Sequence, residues 1–172
     1  CSALAACLGQ NPDLISLSMQ GCNISADGCA LFAQAIPCAK NLEVLRLNCN
    51  NIFNRGCRAL TTVLTSSSLI ALGLADCQIW TKATTPLLAA AANKLISLDI
   101  SKNMVDLNYL TKLLIDSNVL KGLSISGCKV EQSFVDPFFR KIKSYKLRTL
   151  IVSSLNFNYL PVTWPNVEDH IW

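Results

Sequence analysis

The sequence has little of what an active site needs. It contains a single histidine, His170, and no cysteine pair at the Cys-x-x-Cys spacing of a zinc site. A glycine-rich phosphate-binding loop is also missing. A Cys-His pair would require His170 to fold back onto a buried thiol, and no other cluster of nucleophile and base is available. We therefore expect no enzymatic activity, no catalytic residue, and no cofactor or metal in this chain.

Long apolar runs are absent as well, although half of the residues are apolar. No stretch approaches the roughly 18 consecutive apolar residues that a membrane-spanning helix needs. The longest alanine-rich stretch, residues 87–92, is long enough only for a helix packed on its neighbours. We expect no membrane partner, and a chain of 172 residues with this composition can bury a large core.

What the sequence does have is a six-fold internal repeat. Counting an opening leucine as zero, apolar residues recur at positions three, five and ten, and Cys or Asn fills position eight in five of the six units. The repeats, 25 to 28 residues long, open at Leu14, Leu42, Leu69, Leu95, Leu120 and Leu147. A fixed period of this length indicates a solenoid, whose units bury their cores only against neighbouring units.

Each unit combines two periodicities. Apolar residues at positions three and five alternate with outward residues at positions two, four and six, which predicts a short strand with one buried face. Helical spacing follows, as in Ala59, Leu60, Val63 and Leu64. We predict an α/β solenoid of about six repeats, a horseshoe segment with a parallel concave sheet and convex helices.

The pattern resembles leucine-rich repeats of the ribonuclease-inhibitor-like subfamily. Two details carry the subfamily resemblance: the alternation of Cys and Asn at position eight, and the Gly-Cys pairs at residues 28–29 and 56–57, just before a helix. The resemblance implies a non-enzymatic binding module. Its members inhibit enzymes, regulate small GTPases, or sense ligands in intracellular immune receptors, and proteins that pathogens deliver into host cells look similar.

Most of the nine cysteines fall in repeat positions rather than in disulfide pairs. At position eight, a Cys or Asn is expected to pair with backbone groups of the neighbouring turn and so to form a ladder along the solenoid. The ladder residues are Cys22, Asn50, Cys77, Asn103 and Cys128. Cys and Asn alternate, so no two ladder cysteines are adjacent, and free thiols favour a reducing compartment, the cytoplasm or nucleus. The sequon Asn23-Ile24-Ser25 points weakly the other way.

The two ends of the chain differ. Ala3, Leu4, Cys7 and Leu8 have the spacing of a helix tail, so we expect the chain to start partway through a repeat and to continue further repeats or domains of a longer protein. The alternative is that this helix is a cap. We assign residues 1–157 to the repeats and residues 158–172, with their two prolines and two tryptophans, to a C-terminal cap or tail.

Candidate partner-binding residues follow from the repeat. On the predicted concave face only Arg46 is of a residue type common in interface hot spots, and Asp99 lies two strands away on the same row. Asn48 is a third candidate, and most other outward positions hold Ser, Gly or Ala. On the rim that follows the strands, Asp76 and Lys102 share position seven.

Phe53 and Trp80 share position eleven in adjacent units, just after the ladder turn. Neighbouring strands lie about 5 Å apart, so the two rings would form one patch if they point outward. In the other interpretation, which the sequence alone favours, they cover the start of the helix as local core.

A basic stretch, residues 138–148, offers a different kind of surface. Five cations are interspersed with aromatic residues there and could contact nucleic-acid phosphates. The simpler interpretation makes Phe138, Phe139 and Ile142 the buried stripe of the last helix and the cations its solvated face.

Three functions are therefore open. The first is a protein-protein interaction module that uses the concave face and the ascending rim, as part of a larger intracellular regulatory protein. The second is a structural scaffold of a large complex, with contacts through its convex side and ends. Nucleic-acid contact through the basic last helix is third.

Overall fold

The structure, a computed structural model, describes residues 2–8, 10–141, 144–153 and 155. Six short strands form one parallel sheet, and their spatial order is their order in the chain. Each strand is three residues long and pairs in register with the next. The strands are β1 (Ser16–Ser18), β2 (Val44–Arg46), β3 (Ala71–Gly73), β4 (Ser97–Asp99), β5 (Gly122–Ser124) and β6 (Thr149–Ile151).

Helices alternate with the strands. Most are ten to twelve residues long, and the last is interrupted early, with six residues. The helices are α1 (Ser2–Leu8), α2 (Ala26–Ala35), α3 (Phe53–Leu64), α4 (Thr81–Ala92), α5 (Leu107–Asp116) and α6 (Val135–Arg140). Single turns of 3-10 helix lie at Ile36–Cys38 and Gln132–Phe134.

The register of the sheet follows the repeat. The position-three leucines pair strand by strand across all six units, and those of β2 to β5 are almost wholly buried. Leu17 of β1 is half-buried, because β1 has a neighbouring strand on one side only. The side chains between sheet and helices form one continuous core. The predicted α/β leucine-rich solenoid is confirmed.

The helices turn their inner faces to this core. Cys29 of α2 and Cys57 of α3 are fully buried there. The two Gly-Cys pairs lie inside α2 and α3 and not just before a helix, so that part of the prediction is wrong, because each helix begins two or three residues before its pair. Gly56 allows the approach of α2 to α3, since a Cβ at that position would lie 2.6 Å from the Ile52 side chain and 3.0 Å from the Cys29 Cβ. In the part of the chain that the structure describes, no helix is long and apolar enough to cross a membrane.

The last helix differs from its prediction. Phe138 is buried, with ring centroids 5.1 Å from Phe139 and 5.4 Å from Tyr145, so an aromatic cluster forms as expected. The helix ends at Arg140, however, and Ile142 lies outside the described residues. Lys141, Lys146 and Arg148 therefore lie beyond the end of this helix. The predicted tail, residues 158–172, also lies outside the described part of the chain.

Candidate functional site

The turns that follow the strands are held by the side chains at position eight. Asn50 is buried, and its Oδ1 accepts a hydrogen bond from the Ile24 backbone N at 2.8 Å. Its Nδ2 donates to Met19 O of the preceding unit and to Leu47 O of its own, each at 2.8 Å. One amide thus joins two consecutive repeats.

Asn103 repeats this arrangement two units later. Its Oδ1 accepts from the backbone N of Cys77 and of Ile79, at 3.2 and 3.0 Å. Its Nδ2 donates to Leu74 O at 2.7 Å and to Ile100 O at 3.0 Å. The two asparagines therefore provide hydrogen bonds to buried backbone groups, and burying those groups without a partner would cost free energy.

The cysteines at position eight make weaker versions of the same contacts. The Cys77 thiol donates to Leu47 O at 3.3 Å, and the Cys128 thiol donates to Ile100 O at 3.2 Å, in each case to the preceding unit. Cys22 departs from the predicted ladder: its thiol is exposed and contacts Gln20 O of its own turn at 3.5 Å. The reason is that β1 is the edge of the described sheet, so no preceding turn lies beside Cys22.

Burial sets the protonation of the inner thiols. Desolvation raises the pKa of Cys29, Cys57, Cys77 and Cys128 from 9.0 to about 12. For Cys77 and Cys128, hydrogen bonds from backbone groups oppose the shift without cancelling it. A neutral thiol is a poor nucleophile, so these four cysteines are structural.

Position seven turns the chain after every described strand from β1 to β5. Its residue has a left-handed backbone, with φ between 55° and 64°, in each of these five units. The residues are Gly21, Cys49, Asp76, Lys102 and Gly127. Only glycine adopts this conformation without strain, so three of the five turns keep a side chain at an energetic cost.

The position-seven charges pair with each other. Lys102 Nζ lies 4.0 Å from Asp76 Oδ2, and both side chains are at least half exposed. Such an exposed pair contributes about 0–1 kcal/mol to stability. The two predicted contact residues thus lie side by side on the rim and remain accessible.

On the concave face, Asn48 is held within the sheet. Its Oδ1 accepts from the Ala75 backbone N at 2.9 Å, and the side chain lies over Gly73, where a Cβ would be 2.7 Å from Asn48 Oδ1. A side chain at position 73 would therefore displace the Asn48 amide from this site. The Asn48 Oδ1 is thus already hydrogen-bonded within the sheet, so fewer polar atoms of Asn48 are available to a partner.

Asp99 is similarly engaged. Its Oδ1 accepts from the Ser101 backbone N at 3.0 Å and from Ser101 Oγ at 2.6 Å, and Ser101 Oγ lies 2.7 Å from Ser124 Oγ. The repeat places Ser101 and Ser124 at outward positions, yet both are buried. Their hydroxyl groups contact each other between neighbouring units and cover one another from solvent.

Arg46 is half-buried and aligns with Gly73 and then Asp99 in the register of the sheet. Among the described residues Arg46 forms no ion pair. Of the three predicted concave contacts, Arg46 is therefore the one most available to form hydrogen bonds or an ion pair with a partner.

Position eleven begins the helices, and it divides the units into two kinds. Ser25 Oγ accepts from Gly28 N at 3.1 Å, and Asp106 Oδ1 accepts from Tyr109 N at 3.0 Å, so these residues cap α2 and α5. In the two units between them the position holds Phe53 and Trp80, and neither α3 nor α4 has a side-chain cap. Phe53 also has a φ of 53°, which strains a bulky residue.

The two rings point outward. Phe53 is 44% exposed and Trp80 is 60% exposed. The interpretation that they form local core is wrong, because the ladder and the position-ten isoleucines already fill the space beneath the turns. The backbone under them is fixed: Phe53 N donates to Cys77 O at 3.0 Å, and Trp80 N donates to Asn54 Oδ1 at 2.8 Å.

Sequence reasoning missed a row of amides beside these rings. Gln78 Nε2 donates to Asn51 Oδ1 at 2.6 Å, and Asn51 Nδ2 donates to Asn23 Oδ1 at 3.0 Å. All three residues share position nine. The signal was available, since Asn, Asn and Gln recur at the same position of consecutive repeats.

A cavity of about 420 Å³ lies next to Trp80 on the same rim. Both apolar and charged side chains line it. It is lined by Thr81, Met104, Val105, Asp106, Lys129, Val130, Glu131 and Phe134. The ascending rim, defined as positions seven to twelve of the units, therefore offers two exposed aromatics, an amide row and a cavity on a rigid backbone.

Comparisons with known proteins agree with this architecture. A family model described as Leucine Rich repeat matches residues 10–33 and 38–60. The human NACHT, LRR and PYD domains-containing protein 13 is 31% identical over 124 residues, which are 70% of this chain and 11% of that protein. The chain thus spans about a tenth of the length of this relative.

Two solved structures share the fold at low sequence identity. The tropomodulin C-terminal domain of Caenorhabditis elegans has a TM-score of 0.65 at 13% identity, with 83% of this chain and 90% of that chain covered. Leiomodin-1 Actin-Binding Site 2 has a TM-score of 0.54 at 12% identity, covering 90% of this chain and 78% of that chain.

The chain is a leucine-rich-repeat protein. Its period of 25 to 28 residues, helical convex side and alternating Cys and Asn ladder are consistent with the ribonuclease-inhibitor-like subfamily.

Proposed function

We propose that this chain is a non-enzymatic protein-interaction module that binds a protein partner through the ascending rim and the adjoining concave face. The observation that carries the proposal is the placement of Phe53 and Trp80. Two consecutive units place an exposed aromatic ring at the repeat position whose side chain caps α2 and α5, so that α3 and α4 both lack a side-chain cap and the backbone of Phe53 is strained. Large exposed aromatics are typical anchors of protein interfaces.

The rest of the rim fits the same role. The amide row offers hydrogen-bonding groups, the cavity offers an apolar pocket, and Asp76, Lys102 and Arg46 offer charge. The human relative carries leucine-rich repeats within a much larger protein, and leiomodin-1 uses a domain of this fold as an actin-binding site. By analogy, the module would serve a longer regulatory protein, and its free thiols suit the cytoplasm or nucleus.

Affinity capture with quantitative mass spectrometry tests the proposal. A variant with Phe53→Ala, Trp80→Ala and Arg46→Ala should lose a partner that the unmodified chain retains, because the anchors of the rim are removed. Leu31→Ala is the matched control, since Leu31 is 52% exposed on α2 and lies outside the rim.

An unchanged set of captured proteins in the triple variant would contradict the proposal. Loss of partners in Leu31→Ala instead would favour the scaffold, whose contacts lie on the convex side. Thermal melts of all variants establish that each is folded before its binding is compared.

A further inference from the structure

The opposite edge of the sheet, where the strands begin, carries a second organised surface. The residues at position one are joined through their backbones: Ile96 N donates to Ile70 O, Lys121 N to Ile96 O, and Arg148 N to Lys121 O, each at 2.8 Å. Their side chains therefore succeed one another at about the 4.8 Å spacing of neighbouring strands.

A second row lies two residues earlier in the same three units, with Lys94, Val119 and Lys146. Ile96 is 47% exposed and Val119 is 37% exposed, although both are large apolar residues. We call the two rows together the basic edge. It consists of Lys94, Ile96, Val119, Lys121, Lys146 and Arg148.

The charge of the basic edge is one-sided. Its two rows contain four cations and no acid, whereas the same positions of the first two units contain Asp13 and Glu43. In the described part of the chain, none of the four cations forms an ion pair. Asp99 and Asp116 are the acids closest to these rows along the chain, each three residues from a member of the basic edge.

Two of the cations are held in place. The Lys121 ammonium donates to Asn118 O, and the Lys146 ammonium donates to Asn118 Oδ1. Asn118 thus gathers two cations from neighbouring units beside Val119. Positive charge next to exposed apolar side chains is complementary to a ligand that has both negative charge and apolar groups.

We propose that the basic edge binds an acidic protein segment that carries apolar side chains. Its carboxylates pair with Arg148, Lys121 and the neighbouring cations, and its apolar residues cover Ile96 and Val119. Exposed Ile and Val favour this ligand over nucleic acid, whose phosphate backbone has no apolar group to cover them. This surface is separate from the ascending rim, so its function does not depend on Phe53 or Trp80.

The probe is a phage-displayed library of random peptides, selected on the intact chain. Enriched peptides should contain Asp or Glu together with large apolar residues. Synthesised and measured by fluorescence anisotropy, they should bind the Arg148→Glu and Ile96→Ser variants about tenfold more weakly, the loss typical of an interface residue. Lys82→Glu is the charge control, because Lys82 is exposed on the first turn of α4 and lies outside the basic edge.

Each other outcome overturns the inference. Failure to enrich peptides, enriched peptides without acids, or equal binding to Arg148→Glu and the unmodified chain would all show that the basic edge is not an acidic-segment site. A single-stranded RNA oligonucleotide that binds the chain, depends on Arg148 and is indifferent to Ile96→Ser would identify a nucleic-acid surface instead. Melting curves of the variants confirm that the fold is intact, and none of these results bears on the ascending rim.

Discussion

At the scale of single residues, the cysteines divide into two groups by burial. Cys7, Cys22, Cys38 and Cys49 are exposed, whereas four others are buried with thiol pKa values raised to about 12. Residue type alone does not make this distinction. Cys22 and Cys77 share position eight, yet one is exposed and the other is wholly buried, because in the described sheet β1 is an edge strand and β3 has a strand on both sides.

The raised pKa values give the stability a defined dependence on pH. The four buried thiols have a higher pKa in the folded chain than the ordinary value of 9.0, so unfolding releases protons at alkaline pH. Their contribution is complete below about pH 9 and is lost as the pH rises towards 12.

We expect a thiol-specific colorimetric reagent at pH 8 to modify Cys7, Cys22, Cys38 and Cys49, the exposed cysteines among the described residues, within minutes. The buried four should react only as fast as the chain unfolds, because they are shielded and protonated. Peptide mapping of the labelled sites checks this assignment. Rapid native labelling of Cys29 or Cys57 would show that the interior is open between α2 and α3.

At the scale of the structural elements, the helix starts show where binding competes with stability. Ser25 and Asp106 cap their helices, but Phe53 and Trp80 do not. The repeat predicted the shared position of the two aromatics correctly and their burial wrongly. Position eleven of other units could have indicated that the rings are exposed. Ser and Asp at that position are capping residues, whereas an aromatic side chain cannot cap a helix.

We predict that Trp80→Asp stabilises the chain by about 1 kcal/mol, the usual value of an N-cap. Residue 80 already has the extended backbone of a capping residue, with φ −105° and ψ 165°, and an Asp there also suits the helix dipole. The same change should abolish binding through the ascending rim. Chemical denaturation measures the stability, and Trp80→Ala, which gains no cap, is the control. Equal stability of the Asp and Ala variants would contradict the capping argument.

At the scale of the whole molecule, the ladder joins the units into one cooperative array. Asn50, Cys77, Asn103 and Cys128 each contact the preceding unit at equivalent atoms. Stability in such an array depends on the interfaces between neighbours, so a defect at one ladder residue weakens the contacts on both sides of it.

The ladder makes a sharp prediction for Cys77. Cys77→Asn should change the unfolding free energy by less than about 1 kcal/mol, because Asn already makes the equivalent contacts in both adjacent units. Cys77→Asp should cost at least about 2 kcal/mol, since it buries a carboxylate against carbonyl oxygens. Melting temperatures of the two variants check this, and equal values would refute the repeat register.

Much of the molecule could be predicted from the repeat alone. The six strands, their parallel order and the buried leucines follow from the period, which the register of the sheet confirms. The concave surface could not be predicted in the same way. Asn48 covers Gly73, and Ser101 is buried where it bonds to Ser124. These outward positions are covered by side chains of a neighbouring unit, and the pattern of a single repeat does not show such contacts.

The shortness of the strands has a further consequence. The basic edge ends at position one and the ascending rim begins at position seven, so within one unit about 20 Å of extended chain separates the two surfaces. If both edges bind, a single bivalent ligand with a short linker can reach from one to the other. Its second contact would then form at high effective concentration, and two weak contacts would add up to one long-lived complex.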